Sequence, residues 1–316
     1  MNERKTQLFE AAHFYYLQHL TMDQIATKLS VSRATVSRLL KEAREIGLVE
    51  IRINDEFKPA SDLSRRIGDR FRVKATVVNT APGDSDLSRM QDVAREGGEL
   101  LGSLMQEGTV LAVAWGSTVG EVARQLSVRP QNNSLVVQLN GAGNAWHTGI
   151  PYSGAILGKI ADAFGAQMIH FPVPALFDRA STKEAMWQEE SVRSVLKVQR
   201  TADIALFGIG AFGGAIPSHV YNGGYFKDDE QRELRSAGVV GDICTVFLRE
   251  NGTYADLEVN QRSTGPTPTE LARIKRRIAV VSGNHRLKAL LAALQTGAIT
   301  DLVLDSQLAQ RLLQTY

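Results

Sequence analysis

A run of hydroxyl and cationic side chains between residues 28 and 41 could contact a nucleic acid. No acidic residue interrupts this run, and its members are Lys28, Ser32, Arg33, Thr35, Ser37, Arg38 and Lys41. Hydroxyl and guanidinium groups form hydrogen bonds with base edges and phosphates in the major groove of DNA. We expect base contacts from Arg33, Thr35 and Ser37, and phosphate contacts from Lys28, Arg38 and Lys41.

The residues around this run have the pattern of a helix-turn-helix. Apolar spacing predicts a first helix over about 4–18, and Thr21 followed by Gln24 is a capping box that opens a second. Val31 lies in the turn, and a third helix over about 33–46 turns its polar face outward. The alternating residues 49–53 predict a strand, which would be a wing. The alternative is a solvated basic helix in an unrelated helical cap.

Beyond a connecting helix over about 59–72, short β-rich runs alternate with helical runs. The predicted strands are 75–79, 109–114, 134–139, 167–171, 204–208, 241–247, 278–281 and 301–304, and the predicted helices are 86–106, 118–127, 152–163, 182–197, 228–237, 268–276 and 284–295. This alternation predicts a Rossmann-like α/β domain with a mainly parallel sheet. We place the domain boundary near residues 54–60 and assign 1–56 to DNA binding and 57–316 to the larger domain.

Small and polar residues follow several of these strands, where ligands bind in doubly wound sheets. Gly116, Ser117 and Thr118 lie between a strand and a helix and could hold an anion, or they could form a plain N-capped turn. Gly208 and Gly210 predict a tight turn facing a ligand. The remaining candidates lie at or near strand ends: Gln138, Asn140 and Gly141 around the end of 134–139, Asp242 at the start of 241–247, and Ser282 and Gly283 after 278–281. Asp242 could accept hydrogen bonds from sugar hydroxyls or be an ordinary turn aspartate.

Composition narrows the class of protein further. The 316 residues carry a net charge of +2 and a single cysteine, Cys244, so no internal disulfide can form. This usage fits a reducing cytosol, with Cys244 as a small buried apolar residue. No signal peptide and no apolar run long enough to span a bilayer is evident. The six histidines lack metal-ligand spacing, and we expect neither a metal nor a cofactor.

The chain resembles the SorC/DeoR family of bacterial sugar-responsive regulators along nearly its whole length. The resemblance rests on the order and spacing of Tyr15–Tyr16, 32–44, 47–53, 114–119, 202–210, 238–244 and 281–294. It implies an effector domain similar to sugar-phosphate isomerases that binds a sugar, polyol or sugar phosphate. It also implies a homo-oligomer, commonly a tetramer built as a dimer of dimers on two-fold operator DNA.

The resemblance carries over to particular residues as well. Lys288 matches the family's ligand lysine and could pair with a phosphate. Asn284 stands where relatives often have a second glycine. Some relatives capture an aldehyde sugar with a lysine, but residues 138–150 contain none and the nearest is Lys159, on a predicted helix. Covalent capture is therefore not expected.

Three functions are compatible with these features. The first is a cytoplasmic transcription regulator of carbohydrate or polyol genes, which is not an enzyme. The second is a sugar-phosphate isomerase or deaminase with an added helical domain, for which Asp242 is the one candidate base in the motif loops, without an acid–base partner at a convincing spacing. The third is a DNA-binding protein with a structural tail, which the size and loop pattern of the large domain disfavour.

Overall fold

The computed structural model describes residues 3–49, 62–81, 83–144, 149–216 and 218–315. Its Cα atoms divide into two compact units, Met1–Pro59 and Ala60–Tyr316. The predicted boundary after residue 56 lies among residues 50–61, outside the described residues, and so does the predicted wing apart from Val49. Both stay predictions. No helix of the described residues is long and apolar enough to cross a bilayer.

The N-terminal unit is built from helices packed on a small apolar core. Its helices are α1 (Glu3–Ala12), a π-helical turn (His13–Leu17), α2 (Met22–Lys28) and α3 (Arg33–Glu45). The predicted capping box is present: Thr21 Oγ1 accepts from the Gln24 amide, and Gln24 Oε1 accepts from the Thr21 amide. Ile25, Val36 and Leu39 are fully or almost fully buried between the helices. The apolar spacing of the sequence therefore fixes which face of α3 is outward.

The larger unit contains a twisted sheet flanked by helices. Its strands are β1 (Lys74–Val78), β2 (Val110–Val113), β3 (Leu135–Gln138), β4 (Gln167–Ile169), β5 (Ile204–Ala211), β6 (Val239–Ile243), β7 (Val246–Arg249), β8 (Arg276–Val281) and β9 (Asp301–Asp305). Its helices are α4 (Asp62–Phe71), α5 (Asp86–Leu104), α6 (Ser117–Gln125), α7 (Gly149–Phe164), α8 (Ala180–Met186), α9 (Glu190–Arg200), α10 (His219–Asn222), α11 (Asp228–Ser236), α12 (Glu258–Arg262), α13 (Pro268–Leu271), α14 (Leu287–Gln295) and α15 (Ser306–Gln314).

The strand order creates a switch point in the middle of the sheet. The order is β1-β9-β8-β5-β2-β3-β4, and all of these neighbours pair in parallel. From β2 the chain proceeds outward to β4 and returns to β5, from which it proceeds the other way. Ligands of doubly wound sheets bind beyond the carboxyl ends of strands at such a reversal. The fold therefore points to the ends of β2 and β5.

Both faces of the sheet are buried, as a parallel sheet requires. Leu111 and Val113 of β2 belong to one apolar cluster, while Ala112 between them belongs to the other. The same alternation runs through β5 and β8. This is the doubly covered α/β architecture that the sequence predicts.

Two predictions near the switch point are wrong. Residues 241–247 do not form one strand but a hairpin, because Cys244 and Thr245 turn the chain with φ of 50° and 65°. Neither is a glycine or asparagine, so the turn has no sequence signal. Gly208–Gly210 is not a turn either, because β5 continues to Ala211 and its last residues pair with β6.

Two helix predictions also need correction. The predicted helix 182–197 is broken at Trp187–Glu189 into α8 and α9, and the predicted helix 268–276 ends at Leu271. Helices α10, α12 and α15 were not predicted. Of these, α10 is the one that changes the site, because it brings His219 to the switch point.

Candidate functional site

The outer face of α3 presents the predicted nucleic-acid contacts. Ser32 is the N-cap, and its Oγ accepts from the Thr35 amide at 3.1 Å. The side chains exposed to solvent are Lys28, Ser32, Arg33, Ser37, Arg38 and Lys41, whereas Thr35 is half-buried. Six of the seven predicted residues are thus accessible, and Thr35 also supports the first turn of the helix.

The cations of this face are held only weakly. Arg33 Nε lies 3.7 Å from Asp23 Oδ1, and Lys41 Nζ lies 3.7 Å from Glu45 Oε1. All four side chains are more than 60% exposed. Exposed pairs of this kind contribute little to stability, so a phosphate can replace the carboxylate. The sequence interpretation missed Arg44, which is exposed one turn beyond Lys41 and donates to the Tyr16 hydroxyl at 3.3 Å. This face is therefore a cationic surface available to DNA.

The larger unit has a polar cavity at the switch point. It has a volume of about 50 Å³ and opens where β2, β3 and β5 end. The predicted site residues that line it are Gly116, Ser117, Thr118, Asn140, Gly208, Gly210 and Asp242. Sequence positions as distant as 116 and 242 meet here because β2 ends beside β5 and β6 pairs antiparallel with the last residues of β5.

Five predicted site residues lie outside this lining. They are Gln138, Gly141, Ser282, Gly283 and Lys288. Gln138 is buried; its Oε1 accepts a hydrogen bond from the Phe171 amide, and its Nε2 donates to the Asn140 carbonyl. The Gly283 amide donates to Asp305 Oδ2 at 2.8 Å. These two residues shape the walls of the site rather than its surface.

Arg286, not Lys288, is the cation of the cavity. Lys288 is 67% exposed and lies 3.5 Å from Glu250. Arg286 is buried, and its guanidinium donates to the carbonyls of Ser282, Ile209 and Ile216 at 2.8–3.2 Å. Burial lowers the pKa of Arg286 to about 10, so the group stays charged at neutral pH. Within the described part of the chain these three carbonyls use three of its five N–H groups, and the guanidinium adds a positive charge to the lining near Asp242.

Polar atoms without partners point to a ligand. Both amide atoms of the fully buried Asn140 lack a hydrogen-bond partner among the described residues, as do Asp242 Oδ1 and His219 Nε2. Unsatisfied buried polar atoms are rare and costly. Their grouping around one cavity indicates that a hydrogen-bonding molecule completes them.

Asp242 is a buried carboxylate with a raised pKa. Burial raises its pKa to about 6, although the neighbouring Tyr221 hydroxyl, the Thr245 amide and the charge of Arg286 oppose that shift. The Thr245 amide donates to Oδ2 at 3.1 Å. At neutral pH Asp242 is therefore mainly ionised, and Oδ1 is an acceptor for a hydroxyl.

Aromatic side chains cover the cavity. Trp115 and Tyr225 stack with centroids 5.2 Å apart, and His219 meets the edge of Trp115 at 5.8 Å. The Tyr225 hydroxyl donates to the Ala142 carbonyl at 2.9 Å, and Trp115 Nε1 donates to the Gly141 carbonyl at 2.9 Å. Burial lowers the pKa of His219, which keeps the imidazole neutral. Aromatic faces of this kind suit the C–H surface of a sugar ring.

The sequence interpretation missed part of this site. Trp115 and Arg286 lie within the segments 114–119 and 281–294 that carry the family resemblance, but the sequence alone gives neither side chain a role in the site. No sequence signal pointed to His219 or Ser218, because they come from the segment after β5. Among the described residues no group of His, Cys, Asp and Glu could hold a metal ion, and none of the residues lining the cavity is a lysine.

A helix-turn-helix with a cationic outer helix, in one chain with an α/β unit that holds a polar cavity, defines a ligand-responsive transcription regulator. A family model described as "Putative sugar-binding domain" matches residues 55–314. The chain is 29% identical to the deoxyribonucleoside regulator of Bacillus subtilis (strain 168) over 314 residues, 99% of each chain.

Two further relatives agree. The sorbitol operon regulator of Klebsiella pneumoniae is 26% identical over 320 residues, 97% of each chain, and its full-length crystal structure superposes with a TM-score of 0.82 over 99% of both chains. A domain of a "possible sugar-binding transcriptional regulator" from Arthrobacter aurescens TC1 is 39% identical, with a TM-score of 0.75, over 81% of this chain and 98% of that domain.

The chain belongs to the SorC/DeoR family of sugar-binding transcriptional regulators. These relatives are named as regulators and not as enzymes, so the regulator interpretation is confirmed over a sugar-phosphate isomerase or deaminase.

Proposed function

We propose that α3 binds operator DNA of carbohydrate or polyol catabolism genes and that a sugar, polyol or sugar phosphate in the cavity controls this binding. The relatives named above are a deoxyribonucleoside regulator and a sorbitol operon regulator, which supports a carbohydrate effector. The observation that carries the proposal is the unpartnered set of Asn140, Asp242 and His219 atoms in one buried cavity. Sugar hydroxyls both donate and accept, so they can complete all three groups.

Other groups of the same lining suit a phosphate. Helix α6 begins at Ser117, so its first amides and the hydroxyls of Ser117 and Thr118 face the cavity with the positive end of the helix dipole. Arg286 adds a buried positive charge to the same lining. The site therefore favours an effector that carries both hydroxyls and an anionic group.

The effector must move part of the cover to enter. A cavity of about 50 Å³ holds only a few water molecules. His219 and Tyr225 belong to the segment between β5 and β6, and both rings pack against Trp115. We infer that binding displaces this segment and so selects a different arrangement of the larger unit. Helix α4, the first helix of that unit, is the proposed lever toward the DNA-binding unit.

The proposed assembly is a cytoplasmic homo-oligomer, a tetramer built as a dimer of dimers on two-fold operator DNA. Two-fold protein symmetry matches two half-sites one or more helical turns apart. Light scattering with the full chain at micromolar concentration tests this part. A monomer with and without DNA would contradict it.

A thermal-shift screen of the full chain with sugars, polyols and their phosphates tests the effector. A ligand that binds only the native state raises the melting temperature by mass action. The hit is then titrated against Asn140→Leu, which removes the unpartnered amide, and against Lys288→Gln, which alters an exposed lysine outside the cavity. We expect the first variant to lose the shift and the second to keep it. A panel without any hit would overturn the effector proposal.

A further inference from the structure

A second cavity lies in the larger unit between α8, α9 and the segment that leads into α13. Its volume is about 320 Å³, several times that of the effector cavity, and among the described residues the two cavities share no lining side chain. Cavities that bind small molecules typically measure about 300–1,000 Å³. This second cavity is thus large enough for a ligand without any rearrangement.

The charge of this cavity is positive. Lys183, Arg200 and Arg273 line it, and none of them forms a close ion pair within the described part of the chain, although the charges of Glu270 and Glu184 act on Lys183. The one carboxylate in the lining, Glu270, is occupied at the start of α13, where its Oε2 accepts from the Thr267 amide at 2.8 Å and from its hydroxyl at 2.9 Å. An incoming anion would therefore meet three cations and one carboxylate, which leaves the lining with an excess of positive charge.

One wall is flat and apolar. Trp187 forms it, and Lys183 Nζ lies 5.4 Å from the centre of its ring. Phe171 and Phe177 pack edge-on against Trp187 at 5.8 and 6.1 Å and hold the indole in place. Burial lowers the pKa of Lys183, so an anion beside it would relieve an electrostatic penalty.

We propose that this cavity is a second ligand site, for a small aromatic acid, whose ring stacks on Trp187 while its carboxylate pairs with Lys183 and Arg273. The combination of a rigid indole face with a half-buried lysine selects a planar body carrying one negative charge.

One backbone segment, which contains Leu139 and Asn140, separates the two cavities. Leu139 lines the second cavity and the next residue, Asn140, lines the first. Gln199 Nε2 donates to the Leu139 carbonyl at 3.2 Å, and Thr264 Oγ1 accepts from the Gly141 amide at 3.0 Å. A ligand that shifts Gln199 or Thr264 therefore acts directly on the segment that carries Asn140.

Calorimetric titration of the full chain with 1-naphthoate tests the site, with 1-naphthamide as the neutral ligand of the same shape. The variants are Lys183→Gln, Arg273→Gln and the control Lys197→Gln, which removes an equal charge from α9 outside the lining. We expect saturable naphthoate binding that weakens about tenfold in Lys183→Gln and Arg273→Gln and not in Lys197→Gln, and the amide to bind about tenfold more weakly. Circular dichroism of each variant checks that it is folded.

Three results would overturn the site: no naphthoate binding up to millimolar concentration, equal binding of the amide, or equal affinity in all three variants. Arg273 is exposed, so its substitution keeps the test decisive if Lys183→Gln does not fold. This titration needs neither DNA nor sugar, so it stands apart from the proposed function.

Transmission through the shared wall rests on the proposed function and is measured with DNA from the chain's own promoter region. We expect saturating naphthoate to change the DNA affinity of the wild type by about fivefold or more, and the naphthoate concentration that gives half of this change to rise about tenfold in Lys183→Gln. Unchanged affinity at a saturated site would overturn the transmission. Failure to bind DNA without naphthoate would instead count against the proposed function.

Discussion

At the residue scale, the site depends on a missing methyl group at Gly210. A Cβ atom there would overlap the carboxylate of Asp242, whereas a Cβ at Gly208 would lie 3.7 Å from the nearest atom, Thr118 Cβ. Both glycines belong to β5 and face the same cavity. Alanine substitutions at the two positions can therefore be compared directly, because an added methyl group overlaps another atom at Gly210 but not at Gly208.

We predict that Gly210→Ala lowers the free energy of unfolding by about 1–3 kcal/mol, because Asp242 must leave its position. Gly208→Ala should change it by less than about 1 kcal/mol, since the added methyl makes ordinary contacts. Urea denaturation of the two variants checks this. Equal destabilisation by both would show that the carboxylate is not confined as described.

The raised pKa of Asp242 makes a second prediction, on pH. Its folded pKa of about 6 exceeds the reference value of 3.8, so the native state binds the proton more tightly than the unfolded state. The contribution of Asp242 to stability therefore falls as pH rises from about 4 to 6 and stays low above that interval.

Asp242→Asn removes this titration. When the pH is raised from about 5 to about 7.5, we expect the free energy of unfolding of the wild type to fall by about 1 kcal/mol relative to that of Asp242→Asn. Urea denaturation at both pH values measures it. A difference that is the same at both pH values would mean that the carboxylate has an ordinary pKa.

At the element scale, the first turn of α3 contributes to the stability of the helix, whereas its outer face is proposed to bind DNA. Ser32 caps the helix through the Thr35 amide, while Ser37 is exposed in mid-helix. We predict that Ser32→Ala speeds hydrogen exchange of the first-turn amides about fivefold, since loss of a cap costs about 1 kcal/mol. Ser37→Ala should leave exchange unchanged. Equal exchange in the two variants would contradict the capping role.

On the outer face of α3 we expect some side chains to contact bases and others to contact phosphates. We predict that Arg33→Ala loses affinity for promoter DNA more than for random DNA, whereas Lys41→Ala weakens both alike and reduces the salt slope by about 1. Fluorescence anisotropy at several salt concentrations measures both effects. Equal losses on both DNAs for Arg33→Ala would refute base reading by that side chain.

The sequence predicts helices and turns correctly where their positions depend on local residue patterns. The Thr21–Gln24 capping box and the burial of Val36 and Leu39 follow from spacing alone, and the structure confirms them. The hairpin at Cys244–Thr245 was not predictable, because its left-handed backbone is held by tertiary contacts such as the bond from Ser263 Oγ to the Thr245 carbonyl. Turn propensity could not indicate it.

At the scale of the whole molecule, topology decides which candidates meet. Asn140 and Gly208 meet because β2 and β3 end beside β5, and the sequence predicted this neighbourhood through the α/β pattern. Asp242 joins them because β6 pairs antiparallel with the last residues of β5. Whether Arg286 or Lys288 lines the cavity depends on how the short 3-10 turn at Asn284–Arg286 orients the following helix, α14. The sequence does not show this orientation. His219 could not be foreseen, since it arrives from a segment without a family motif.

The central claim is that a carbohydrate in the cavity governs DNA binding by α3. It is tested by the affinity of the full chain for its own promoter DNA at low salt, with and without the ligand found by thermal shift. We predict tighter binding to promoter than to random DNA and a change of about fivefold or more on adding the ligand, absent in Asn140→Leu. Promoter DNA bound no better than random DNA, and unaffected by a ligand that occupies the cavity, would contradict the claim.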